Sequence, residues 1–133
     1  MSDFALHPRL AADTVFVSDW PLCRVLLMDD VRYPWLILVP RRSGLVEIMD
    51  LAEPDRIRLV EEVARASLGL RGLPQVAKIN VGALGNLVPQ LHVHVLGRHP
   101  GDPAWPGPVW GHSPAVAYEA AARTAMIDRV RSL

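Results

Sequence analysis

The stretch Gln90-Leu91-His92-Val93-His94-Val95-Leu96 alternates polar and apolar residues one for one, the period of a β-strand whose successive side chains point to opposite faces of a sheet. Leu91, Val93 and Val95 would then anchor on a core, leaving Gln90, His92 and His94 together on the other face. Two imidazoles and an amide on one rigid platform offer donors, acceptors and a nitrogen nucleophile. Imidazole titrates near neutrality, so much of it is unprotonated at pH 7 and able to attack phosphorus. The pair alone has two further readings. It suits two hydrogen-bonded residues of a half-buried strand, or the start of a metal site completed by His99, Asp102 or His112.

Working outward, residues 76–81 form a second short strand, joined to the first through Gly82-Ala83-Leu84-Gly85-Asn86-Leu87, so the two make a hairpin. Before it, residues 52–70 set Ile57, Val60 and Ala64, and also Leu59, Val63, Ala66 and Leu70, at helical spacing. Pro54 and Asp55 stand where a first turn tolerates them, and Gly72-Leu73-Pro74 ends the helix. Earlier still, residues 13–18, residues 22–28 and the run Trp35-Leu36-Ile37-Leu38-Val39 between Pro34 and Pro40 read as three strands of an antiparallel meander, with Asp29-Asp30 at one turn. Downstream, residues 100–114 hold five prolines and three glycines together with Trp105 and Trp110, which predicts an irregular arm lying on a surface. Ser113-Pro114 supplies an N-cap and a first-position proline for a closing helix to about residue 131, with Tyr118, Ala122, Met126 and Val130 along one face. The expected fold is α+β, one domain over residues 1–133, with a five-stranded antiparallel sheet covered by a main helix and followed by an arm and a helix.

Composition narrows the partners. Fourteen basic residues balance fourteen acidic ones, so no excess positive charge is available to grip a nucleic-acid backbone, and a small polar ligand is expected instead. Cys23 is the only cysteine, which excludes an intramolecular disulfide and a cysteine-based zinc site and fits a reducing, cytoplasmic setting. Met1-Ser2-Asp3-Phe4-Ala5-Leu6-His7 has no basic region followed by an apolar run, and no stretch is long and apolar enough to span a membrane, so an unprocessed chain without membrane contact is expected. A five-stranded sheet has open edges and the mean hydropathy is positive, which a symmetric homodimer would accommodate.

The motif is not isolated. Gln90-x-His92-x-His94-Val95-Leu96 resembles the His-x-His-x-His signature of the histidine triad nucleotide hydrolases and transferases, with glutamine in place of the first histidine. Asn80-Val81-Gly82 and Gly85-Asn86-Leu87-Val88 resemble the Asn-x-Gly and Gly-Gln-x-Val elements that precede the triad in that family. Tyr33-Pro34-Trp35-Leu36-Ile37-Leu38-Val39-Pro40 resembles its Pro-Gly-His-x-Leu-Val-x-Pro strand, with Trp35 at the histidine, and Trp105-Pro106 is similar to a Trp-Pro near the C-terminus of some members. The likeness runs from about residue 22 to residue 110.

That resemblance implies a ping-pong reaction without cofactor or metal in its central step. His92 would attack the α-phosphorus of a nucleotide derivative, such as a diadenosine polyphosphate or a nucleoside phosphoramidate, to give a covalent nucleotidyl-histidine that water or another acceptor resolves. The other nitrogen of His92 would be held by the backbone carbonyl of Gln90, which does not depend on the side chain there. His94 would lie beside the phosphate and the leaving group, stabilising charge or helping proton transfer. Asn80 and Asn86 would contact phosphate oxygens or serve only the hairpin connection, where asparagine beside glycine is common. Leu26 and Met28 would build the core and flank the base, and Arg98 would stand solvated or add charge to the site. Gln90 and Trp35 would lie near each other behind the nucleophile as one repacked contact. Trp105 and Trp110 would either bury the arm or close over a neighbouring subunit's pocket. The competing expectation is a nucleotide-binding protein that kept the fold and lost turnover through Gln90 and Trp35.

Overall fold

The computed structural model describes residues 3–133; Met1 and Ser2, read above as part of an N-terminus without targeting features, lie outside the described residues. Its elements are α1 (Pro8–Asp13), β1 (Thr14–Asp19), β2 (Cys23–Met28), β3 (Trp35–Pro40), α2 (Glu53–Arg71), β4 (Lys78–Gly82), β5 (Val93–Arg98) and α3 (Ala120–Arg131), with a 3-10 turn at Ile48–Asp50. The strands form one sheet in the order β1-β2-β3-β5-β4, and every neighbouring pair is antiparallel. The expected meander and hairpin are therefore both present. The hairpin joins through β5, which places that strand inside the sheet and leaves β4 at an edge.

Alternation along β5 sorts the two faces as the sequence pattern requires. Val93 and Val95 join Val25, Leu27, Leu36 and Leu38 against Leu59, Ala66 and Leu70 of α2 and Val130 of α3. Helix α2 turns Leu59, Glu62, Ala66 and Leu70 inward at three- and four-residue spacing, while Ile57 and Val60 of the expected apolar stripe face out. Glu62 is a buried acid on that inner face. Its carboxylate accepts the backbone N–H groups of Leu22 at 2.9 Å and Cys23 at 2.8 Å, which satisfies the charge and ties the helix to the start of β2.

On the opposite face Leu96 clusters with Leu26, Tyr33, Trp35, Ile37 and Val39, covered by Leu10 of α1 and by Ala104 and Val109 of the arm. Every residue of β5 is consequently buried. The site-bearing face is lined by protein rather than open to solvent.

Four expectations change. Strand β5 begins at Val93, so Gln90, Leu91 and His92 form an irregular lead, in which the Leu91 N–H donates to the Leu45 carbonyl at 3.0 Å. Strand β4 begins at Lys78 rather than at residue 76. The closing helix begins at Ala120, because the backbone between Ser113 and Tyr118 is committed to the β2–β3 turn. There Val31 N–H donates to Val116 O at 2.8 Å, Asp29 accepts the Tyr118 N–H at 3.0 Å, and Arg32 donates to Ser113 Oγ at 2.6 Å. The short helix α1 was not anticipated; six residues span less than two turns and leave too little periodicity to read.

Arg98 is the fourth correction. It is 1% exposed rather than solvated. Its guanidinium donates to both Asp102 carboxylate oxygens at 2.7 and 2.9 Å, to Asn80 Oδ1 at 2.8 Å and to the Gly107 carbonyl at 2.9 Å, and lies over the Trp105 ring. Strand β4, strand β5 and the proline-rich arm meet on this one side chain.

Candidate active site

His92 and His94 come together at the floor of a cleft of about 630 Å³, a size suited to a nucleotide-scale ligand. Their rings lie 5.0 Å apart edge to face, and both residues are buried, at 6% and 8% exposure. Met28, Ile37 and Leu10 give the cleft an apolar wall, and Asn86, Leu87 and Val88 line it from the β4–β5 connection. Gly85 turns that connection at φ 68°, in the left-handed region that glycine adopts without strain.

The two imidazoles are held in opposite senses. His92 Nδ1 lies 2.7 Å from the Gln90 carbonyl oxygen. A carbonyl only accepts, so Nδ1 carries the proton and neutral His92 keeps its lone pair on Nε2, which has no protein partner among the described residues. His94 is different. The indole Nε1–H of Trp35 donates to His94 Nδ1 at 3.0 Å. Burial, and then the neighbouring His92, push the His94 imidazole down to about 4, so it is neutral at physiological pH.

Strand register explains why Trp35 reaches His94. His94 lies opposite Ile37 while Trp35 lies opposite Leu96, which makes Trp35 and His94 diagonal neighbours on one face, within reach of a large aromatic. On its other flank His94 lies opposite Gly82 of β4, where there is no side chain. The Trp110 indole fills that space, its ring 5.5 Å from His94, and a Cβ at Gly82 would come within 2.9 Å of Trp110. The arm therefore folds over its own chain's site.

Not every expected residue is where the resemblance implied. Gln90 and Trp35 are engaged by different partners and are not hydrogen-bonded to each other. The Gln90 side chain turns toward the N-terminal segment, accepting the His7 N–H at 2.8 Å and donating to the Ala5 carbonyl at 2.9 Å, whereas Trp35 is occupied by His94. Asn80 is on the same sheet face as His94 but opposite Leu96, and its amide oxygen is taken by Arg98. Asn86 does line the cleft and is exposed. Met28 lines it too, while Leu26 belongs to the core cluster beneath. Asp102, considered above as a metal ligand, is instead the partner of Arg98. Among the described residues no three His, Cys, Asp or Glu side chains gather as a cation site.

The sequence reading missed the charged rim. Arg9 and Asp13 of α1 lie 3.8 Å apart, and Arg32 pairs with Asp30 at 2.9 Å; all four line the cleft. The spacing Asp30-Val31-Arg32 was the available signal, but Asp29-Asp30 also suits a plain turn.

Comparison with known proteins agrees with this geometry. A histidine triad protein from Bradyrhizobium japonicum superposes with a TM-score of 0.94 at 46% identity, covering 97% of this chain and 96% of that one. One from Marinobacter aquaeolei gives 0.94 at 48% identity over 97% and 94%, and one from Sinorhizobium meliloti gives 0.95 at 42% identity over 98% and 96%. No protein with a curated description matches the chain. The family model described as HIT domain matches residues 9–101, a span that contains the whole sheet and both imidazoles, and the chain accordingly belongs to the HIT domain family.

Proposed function

We propose that the protein is a nucleotide hydrolase or nucleotidyl transferase that works through a covalent nucleotidyl-histidine on His92. Membership of the HIT family points to nucleotide-binding hydrolases and transferases as a class. The observation that carries the finer reading is the Gln90 carbonyl on His92 Nδ1, which leaves Nε2 bare at the floor of the cleft. A nitrogen lone pair held in a fixed direction is what in-line attack on an α-phosphorus needs. In this reading the base lies along Leu10, Met28 and Ile37, Asn86 and the loop backbone meet phosphate oxygens, and His94 donates to the reacting phosphoryl group. Asn80 supports the site indirectly through Arg98.

The test is direct. The protein is incubated with adenylyl donors, quenched and mapped by mass spectrometry. A mass increase of one adenylyl group on His92, absent in His92→Gly, is expected. A protein that binds nucleotide with no adduct and no turnover would be a binding module instead.

A symmetric homodimer is part of the same proposal. Ile57, Val60 and Leu68 on α2 and Val81 on the edge strand β4 are large apolar side chains left exposed. Sedimentation equilibrium reads the mass directly. A cytoplasmic setting is supported by the free, buried Cys23, and no helix among the described residues is long and apolar enough to cross a membrane.

A further inference from the structure

Trp35 stands where the resembled strand carries histidine, and its indole changes what His94 can do. An indole N–H donates and never accepts, so the 3.0 Å contact with His94 Nδ1 puts the lone pair of His94 on that atom and its proton on Nε2. The reverse tautomer, or the imidazolium, would set two N–H groups head to head inside a buried contact. The indole has little freedom to turn away, since Trp35 is packed in the core cluster with Tyr33 edge-on at 6.3 Å.

The floor of the cleft thus presents two unlike edges, a lone pair on His92 Nε2 and an N–H on His94 Nε2. His94 can steady negative charge by donating a hydrogen bond. It is poorly placed to hand over a proton, because that requires the doubly protonated ring. The rest of the lining offers no substitute. Asp30 is paired with Arg32 and Asp13 with Arg9, and arginine does not release its proton.

Resting on the nucleotidyl-histidine reading above, we propose that Trp35 is a positioning residue that holds His94 as a neutral Nε2–H donor. The site then selects nucleotide derivatives whose leaving group departs as a weakly basic oxyanion, phosphoric and carboxylic anhydrides, over phosphoramidates. In the first step the His92 Nε2 lone pair forms a bond to the α-phosphorus while the phosphorus–oxygen bond to the leaving group breaks. The electron pair goes to that oxygen, and the phosphate or carboxylate leaves without needing a proton. The Nδ1–H of His92 stays on the Gln90 carbonyl. In the second step water attacks phosphorus, the phosphorus–nitrogen bond breaks, its electron pair returns to Nε2, and the proton of the water passes to solvent. An amine leaving group cannot follow this course, because its nitrogen must gain a proton as the bond breaks.

Two measurements decide the matter. Nitrogen-15 NMR of histidine-labelled protein reads the tautomers without any substrate: His94 should carry its proton on Nε2 in the parent protein and show a mixture in Trp35→Phe. A parent protein with the proton on His94 Nδ1 overturns the proposal, whatever becomes of the variant's fold. In competition between acetyl adenylate and adenosine 5′-phosphoramidate, the parent should favour the anhydride, and Trp35→Phe should shift the ratio of kcat/KM values toward the phosphoramidate by about 10-fold. That is short of the roughly 100-fold or more that a fully protonated, positioned acid contributes, because burial and His92 still disfavour the imidazolium of His94. A parent protein that forms the His92 adduct yet prefers the phosphoramidate refutes the leaving-group half alone. If neither probe gives an adduct, the functional reading falls and takes that half with it, while the NMR result still decides the role of Trp35.

Discussion

The side-chain amide of Gln90 grips the main chain at His7, 2.8 Å from oxygen to nitrogen, while the backbone carbonyl of the same residue holds His92. One position thereby joins the N-terminal segment to the reactive imidazole by two separate groups. The residue that replaces a histidine in the resembled motif has become a clasp.

Gln90→Ala should loosen the segment that leads into α1 and its cleft-lining Arg9 and Leu10, without touching the carbonyl that orients His92. Two neutral hydrogen bonds are lost, about 1–2 kcal/mol in urea denaturation. Steady-state kinetics should show KM rising more than kcat falls. A fall in kcat with KM unchanged would argue that the side chain acts on the chemistry.

Stability should decline in acid through His94. Its folded pKa, about 4, is below the unfolded value of 6.5, so between those values the unfolded chain binds more protons. The contribution is complete above pH 6.5, falls as pH drops toward 4, and is roughly 3 kcal/mol if the whole shift is expressed. Urea titrations at pH 7.5, 6 and 5 on the parent and on His94→Gln check it. The variant's curve should be flatter across that range.

Gly82→Ala should displace Trp110 from His94. The new Cβ would lie 2.9 Å from the indole, a clash that costs about 1–3 kcal/mol when the neighbour has to move. Tryptophan emission should shift and kcat/KM should fall. An unchanged spectrum with unchanged activity would mean that Trp110 does not need this seat.

Arg98→Met should be among the most damaging single changes outside the cleft. It strands the Asp102 carboxylate in a buried place, where breaking such a pair costs about 3–5 kcal/mol. The double variant Arg98→Met with Asp102→Leu should recover part of that loss, read by thermal and chemical denaturation.

How much of this was legible in the sequence follows from the range of the interactions involved. Alternation at Val93 and Val95 gave the two faces of β5 because pleat is a local property, and Leu91 in the irregular lead joins the same core side. Helix α2 was readable for the same reason, although periodicity alone could not say that Glu62 turns inward while Ile57 turns out. The site required distant partners. Gln90 bonds to residues 83 and 85 positions away, Trp35 reaches His94 across 59, and Arg32 meets Ser113 across 81. Nothing in the local pattern at Gln90 and Trp35 distinguishes a shared contact from two separate ones. Ser113-Pro114 is a sound helix start by local chemistry, and it was overridden because Asp29 and the Val31 backbone claimed the following residues. Arg98 was misread although Asp102 is only four residues on, since a strand end followed by Pro100 and Gly101 does not announce that the chain doubles back.

The Arg98 guanidinium, fastened to Asp102, Asn80 and Gly107, has a further consequence for how the molecule comes apart. Segments that hang from a common fastening open together, so the amides of the arm should exchange with deuterium as a block, at one shared opening free energy with the sheet border at β4, and not residue by residue. The indole over His94 would then be withdrawn in the same event. Access to the imidazoles would be gated by the release of a single cation some distance along the strand.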